Sequence, residues 1–319
     1  MINKVEWLLW NNWNWLRRKV NWLFKRMHTG LSLPPNYGNR KQLQLDEAQK
    51  RIREIINAGE PALIARYGSN EALCVAESIG INLHAKKRFS KKILWQVYNN
   101  AGVFPYGREM ALRMGQIMLN SSKNVDLLGV WDSPMQDFLV KNFCASTMEI
   151  TSLGNLEPYY SDEPWTAALK GKKVLVIHPF KESIESQYKK REYLFENSNI
   201  LPEFNLKVMR AVQTIAGEED PRFADWEDAL VYMYEQAMKI DFDVAIIGCG
   251  AYGMPLAAKL KESGKIAIHL GGATQLLFGI KGARWDNHPL AMLYNDYWVR
   301  PLETETPKAA RHIEGACYW

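Results

Sequence analysis

Apolar runs of about strand length recur along this chain, each breaking off in glycine, proline or a polar group. Ala62–Ala65 opens the series; Val125–Trp131, Lys173–Phe180, Leu206–Thr214, Asp243–Gly248 and Lys265–Leu270 follow. Between them lie stretches of helical periodicity, Leu45–Ala58, Ser183–Phe195, Trp226–Ile240 and Tyr252–Ser263. Strands apolar on both faces need cover on both faces, and helices alternating with strands supply it. The expectation is an α/β fold with a doubly wound, mostly parallel, Rossmann-like sheet. At 319 residues it forms one large domain or two lobes, 45–165 and 166–319.

With 47% apolar and 24% charged residues global disorder is excluded. Cys74, Cys144, Cys249 and Cys317 are far apart and form no CxxC pair. That spacing suggests neither zinc nor a disulfide framework and favours a reducing cytoplasm. The net charge of +5 is local: residues 1–26 hold six cations against Glu6, leaving the remaining chain neutral overall. A nucleic-acid binder would spread basic charge over its folded body, so no nucleic-acid partner is expected.

Residues 3–28 read as a helix without glycine or proline. Val5, Leu9, Leu16, Val20, Leu23 and Met27 share one face at 100° per residue. Five of the twelve tryptophans fall before residue 23, interleaved with Lys4, Arg18, Lys25 and Arg26. Such a pattern fits a helix lying in the plane of an anionic membrane, whereas Asn and Arg interrupt it too often for a crossing. The competing reading is a helix docked on the protein's own core or on a partner. Residues 29–44, with Gly30, Pro34, Pro35 and Gly38, read as a linker.

Three strand ends carry candidate chemistry. Ala62–Ala65 runs into Arg66-Tyr67-Gly68-Ser69-Asn70-Glu71. Arg66 is suited to a phosphate or carboxylate, Gly68 to close backbone approach, and Glu71 to a metal or a proton. An ordinary strand–turn–helix joint with a surface ion pair explains the same residues. Gly248-Cys-Gly250-Ala-Tyr-Gly253 is a literal GxGxxG between a strand and a helix. As a dinucleotide fingerprint it lacks an acid at the next strand end, which reads His269-Leu270-Gly271-Gly272. Its glycines equally suit a nucleotide-sugar diphosphate, or close helix–strand packing. His178 ends a further strand as a base, a phosphate contact or a structural histidine. Lys281 and Arg284, beside Trp285, suit a diphosphate and a stacked ring.

The Arg66–Glu71 segment resembles the start of GT-D type glycosyltransferases. There a strand leads into Arg-aromatic-Gly-Asp-X-Glu, whose two acids bind a divalent metal beside a nucleotide-sugar diphosphate. Arg66, Tyr67, Gly68 and Glu71 match; Ser69 replaces the first acid, a poor exchange for a hard cation. Ile268–Trp285 and Glu314–Trp319 are similar to proteins of bacterial surface-polysaccharide clusters. The resemblance spans roughly residues 45–319 and implies transfer of a sugar from a nucleotide-diphosphate donor to a capsule or O-antigen type glycan acceptor, lipid-linked or free. Together with residues 1–28 read as a membrane-surface helix, the expectation is an enzyme at the inner face of the plasma membrane. Arg66, Glu71 and His178 take the catalytic roles. Gly68, Ser69, Gly248, Gly250, Gly253, His269, Gly271, Gly272, Lys281 and Arg284 take donor binding. Glu71 is the remaining ligand for Mn²⁺ or Mg²⁺. An NAD(P)-dependent nucleotide-sugar oxidoreductase or epimerase, and a non-catalytic scaffold of a polysaccharide assembly complex, are the alternatives.

Overall fold

A computed structural model describes residues 2–312 and 316–319. The described strands are β1 (Gln42–Leu43), β2 (Ala62–Arg66), β3 (Leu127–Val130), β4 (Glu149–Ser152), β5 (Lys173–His178), β6 (Asn205–Arg210), β7 (Val244–Ile247) and β8 (Ile266–His269). They form one eight-stranded sheet in the order β1-β4-β3-β2-β8-β7-β5-β6. Every pairing is parallel. The first four strands thus build one half of the sheet and the last four the other. The halves meet where β2 pairs β8, with Ala62 opposite Ile266 and Ile64 opposite Ile268.

The helices are α1 (Lys4–Arg26), α2 (Leu45–Ala58), α3 (Ser69–Asn82), α4 (Lys91–Asn99), α5 (Arg108–Ser122), α6 (Gln136–Phe143), α7 (Lys181–Tyr188), α8 (Trp226–Met238), α9 (Gly253–Glu262) and the single turn α10 (Thr274–Leu277). Side chains alternate across a strand, and the sheet has a core on each face. Leu63, Ala65, Leu175 and Ile177 join the core built with α3, α5, α6, α8 and α9. Ala62, Ile64, Val174 and Val176 join the other, with α2, α7 and α10. The doubly wound parallel sheet is therefore as expected.

Several element ends differ from the sequence reading. β6 stops at Arg210, and the stretch beyond it turns away, Thr214 Oγ1 donating to Gly102 O at 2.6 Å. The helix expected over 183–195 ends at Tyr188, a 3₁₀ turn following at Arg191–Tyr193. Residues 29–44, read as a linker, are held along their length. Leu33 N donates to Asn21 Oδ1, Tyr37 hydroxyl donates to Trp131 O, and Gln42 pairs with Ile150.

The amphipathic helix expected near the N-terminus is α1, and its face assignment is informative. Trp7, Asn14 and Arg17 are buried against the body. Trp7 Nε1 donates to Ala76 O at 2.9 Å, and its ring lies where a Cβ on Gly80 would stand. Asn14 donates to Asp137, and Arg17 pairs with Asp132 at 2.6 Å. The apolar stripe Val5-Leu9-Leu16-Leu23-Met27 stays exposed instead. Among the described residues no helix is long and apolar enough to cross a membrane.

Candidate functional site

The C-terminal ends of β2, β5, β7 and β8 open into a cavity of about 490 Å³. It sits at the seam between the two sheet halves, where open α/β sheets place their ligands. Its size is within the range of small-molecule sites. Arg66, Gly68, Ser69, Glu71, His178, Gly248, Gly250, His269, Gly271, Gly272 and Arg284 all line it. Residues more than 200 positions apart are thereby brought together. Gly253 and Lys281 are not in its wall: Gly253 is buried behind it, and Lys281 Nζ lies 5.3 Å from the Tyr294 ring centre.

Arg66 ends β2, half-buried. Its Nη2 donates to Tyr67 O at 3.1 Å, while its buried Nε has no hydrogen-bond partner. No ion pair joins it to an acid among the described residues, so the bland reading of an Arg66–Glu71 surface pair does not describe it. Gly271 passes against the guanidinium: a Cβ there would lie 3.0 Å from Nη1, and its φ of +64° is strained for any other residue. Gly68 is the N-cap of the 14-residue α3, whose first turn also lines the cavity. A cation with spare donors beside a helix N-terminus suits an anion.

His178 and His269 are both neutral here. Burial pushes the His178 ring down to about 3. Its Nδ1 accepts from Phe180 N at 3.1 Å, so the proton sits on Nε2 and the ring is a donor. Burial first, and then the neighbouring Arg66 charge, hold His269 at about 3, against the pull of Ile247 O on its Nδ1 at 3.3 Å. The glycines of GxGxxG serve these rings. A Cβ on Gly253 would stand 2.1 Å from His269 Cε1, and one on Gly248 would stand 2.6 Å from His178 Cδ2. Gly250 adopts a φ of +59°. Close packing accounts for two of the three fingerprint positions.

Glu157 and Trp131 line the cavity although no residue pattern marked them as part of a site. Glu157 reaches it from the 3₁₀ turns after β4. Burial raises its carboxyl to about 7, against the lowering pull of Arg66. Trp131, Trp285, Tyr318 and Trp319 give the wall an aromatic part. The tail is tied in by Gln275 Nε2 donating to Tyr318 O and Ala283 N to Trp319 O. Arg284 stacks on Tyr318 at 4.7 Å. Glu314 and Gly315 of the closing motif lie outside the described residues.

A divalent metal of the kind the resemblance implies needs several oxygen ligands converging on one point. Ser69, Asn70 and Glu71 contribute one carboxylate, a hydroxyl and an amide. That carboxylate is folded back over Gly68, with Oε2 2.0 Å from where a Cβ would stand. Among the described residues no three His, Cys, Asp or Glu side chains gather at one point. These residues do not make a metal site by themselves.

A parallel sheet with its cavity at the switch point places the protein among the α/β proteins that bind ligands beyond their strand ends. Residues 43–277 match the GT-D fold-like domain, and the chain belongs to that family, a glycosyltransferase class. Two solved structures are similar to it, both of domain of unknown function 1792. One is its selenomethionine-substituted form, 12% identical with a TM-score of 0.46. The other, described as having a distinct glycosyltransferase fold, is 14% identical with a TM-score of 0.45. Each takes in 84% of this chain and 94% of its own. No curated protein matches the sequence.

Proposed function

We propose that the protein moves a sugar from a nucleotide-diphosphate donor to a hydroxyl of a bacterial surface glycan, of the capsule or O-antigen type. The observation that carries this reading is the GT-D match laid over a cavity in which Arg66, its Nε unbonded, forms no ion pair among the described residues. In the reaction the bond from the anomeric carbon to the phosphate oxygen breaks, its electrons leaving with the nucleotide diphosphate. A bond from that carbon to the acceptor oxygen forms, and the hydroxyl proton must be removed. Arg66 and the first amides of α3 meet the growing charge on the diphosphate, where fixed donors contribute most. His178 Nε2–H adds a neutral donor. Among the described residues two carboxylate side chains face the cavity, Glu71 and Glu157. Glu157, held near neutrality, takes the acceptor proton, and Glu71 bonds the donor's sugar hydroxyls. The tail's similarity to surface-polysaccharide proteins supports the acceptor class.

The test is ligand-dependent thermal stability with UDP-, GDP- and dTDP-sugars and with NAD(P)H, for the native chain and for Arg66→Ala. A ligand at 100 times its dissociation constant adds about 2.7 kcal/mol. Stabilisation by one nucleotide sugar, lost in Arg66→Ala, supports the transferase. Stabilisation by NAD(P)H alone would overturn it.

A further inference from the structure

We infer that the outward face of α1 is a docking surface for an anionic lipid bilayer. Trp7, Asn14 and Arg17 fasten the helix to the body, which turns the opposite side outward. On that side Leu9 is 64% exposed, Leu16 47%, Leu23 47% and Met27 69%. A soluble helix normally buries its apolar stripe; α1 buries Trp7, Asn14 and Arg17 and leaves this stripe outward.

The flanks identify the occupant. Trp15 and Trp22 are exposed beside the stripe, with Lys19 Nζ 4.1 Å from the Trp15 ring centre and Arg26 5.4 Å from that of Trp22. Lys4 and Lys25 are exposed as well. Tryptophan and cations bordering an apolar strip match the headgroup zone of an anionic leaflet, with the leucines reaching the acyl chains. A second protein copy would bring the same cations against each other.

The latch to the body adds a direction. Arg17 and Arg18 both bond Asp132, next to Trp131 in the cavity wall. A chain docked through α1 thus holds this part of the cavity rim close to the bilayer.

The experiment is flotation of the full chain with vesicles of phosphatidylcholine alone and of phosphatidylcholine with phosphatidylglycerol. The native chain should float with the anionic vesicles, less so at high salt and weakly with neutral ones. Leu9→Asp/Leu16→Asp/Leu23→Asp alters exposed side chains only, so its melting temperature should hold while binding falls about tenfold or more. Lys19→Glu/Lys25→Glu/Arg26→Glu should abolish the preference for anionic lipid and covers the case of a poorly folded triple variant. Failure to float with either vesicle, or equal flotation of both variants and the native chain, overturns the inference. So does a concentration-dependent dimer in sedimentation that the leucine variant dissolves, which would assign the face to a second copy.

Discussion

The packing role of Gly253 can be tested by a change of sign. A Cβ there would meet the buried His269 ring at 2.1 Å, against ordinary contact beyond 3.4 Å. The ring must shift by more than an ångström, away from its hydrogen bond to Ile247 O. Overpacking of this kind costs about 1–3 kcal/mol. Melting temperature falls by roughly 2–4 °C per kcal/mol in domains of 150–250 residues, so Gly253→Ala should lose several degrees. At a free position on a helix the same change would help by about 0.5–1 kcal/mol, because alanine restricts the unfolded chain. Gly253 opens α9 with helical dihedrals. In a His269→Ala background, where the obstacle is gone, Gly253→Ala should therefore become neutral or stabilising. Urea midpoints for the four proteins of the cycle give the coupling directly. Equal losses in both backgrounds, closing within about 0.5 kcal/mol, would refute the packing argument.

Three further outcomes follow from the cavity. Folded Glu157 keeps its proton to about pH 7, whereas an unfolded glutamate with its ordinary value of 4.5 has released it. Its contribution is full below 4.5 and lost as pH rises through 7, so the native chain should lose up to about 3 kcal/mol relative to Glu157→Gln between pH 5 and 8; parallel urea curves over that range would contradict it. Ser69→Asp restores a second carboxylate beside Glu71, so Mn²⁺ should raise the variant's melting temperature by several degrees more than the native chain's; identical responses would mean that the two side chains do not converge. In Gly68→Ala the new methyl displaces the Glu71 carboxylate, so sugar transfer should fall at least tenfold with little change in stability; full activity would remove Glu71 from the reaction.

The legible parts of the sequence were those buried on both faces. β2, β5, β7 and β8 read as continuous apolar runs because no side of them meets water, and they carry Arg66, His178, Gly248 and His269 into the cavity. β4 is Glu-Ile-Thr-Ser and β1 only two residues, too short and too polar to stand out. With β4 unread, the turn after it and Glu157 had no strand end to belong to. Periodicity found the stripe of α1, but the side that docks is set by Ala76, Asp132 and Asp137, distant in sequence. The closing aromatics were visible through family likeness alone, since their place depends on backbone bonds to Gln275 and Ala283.

The seam between β2 and β8 also sets a clock. Ala62 and Ile266 pair across about 200 residues of chain. At roughly 5–20 residues per second, a ribosome needs about 10–40 s to deliver the second partner after the first. Even after β3 has been made and paired, β2, apolar on both faces, keeps one open edge until β8 arrives. The nascent chain is then most exposed to aggregation and most dependent on a holding chaperone, and the cavity comes into existence only once β8 has been made.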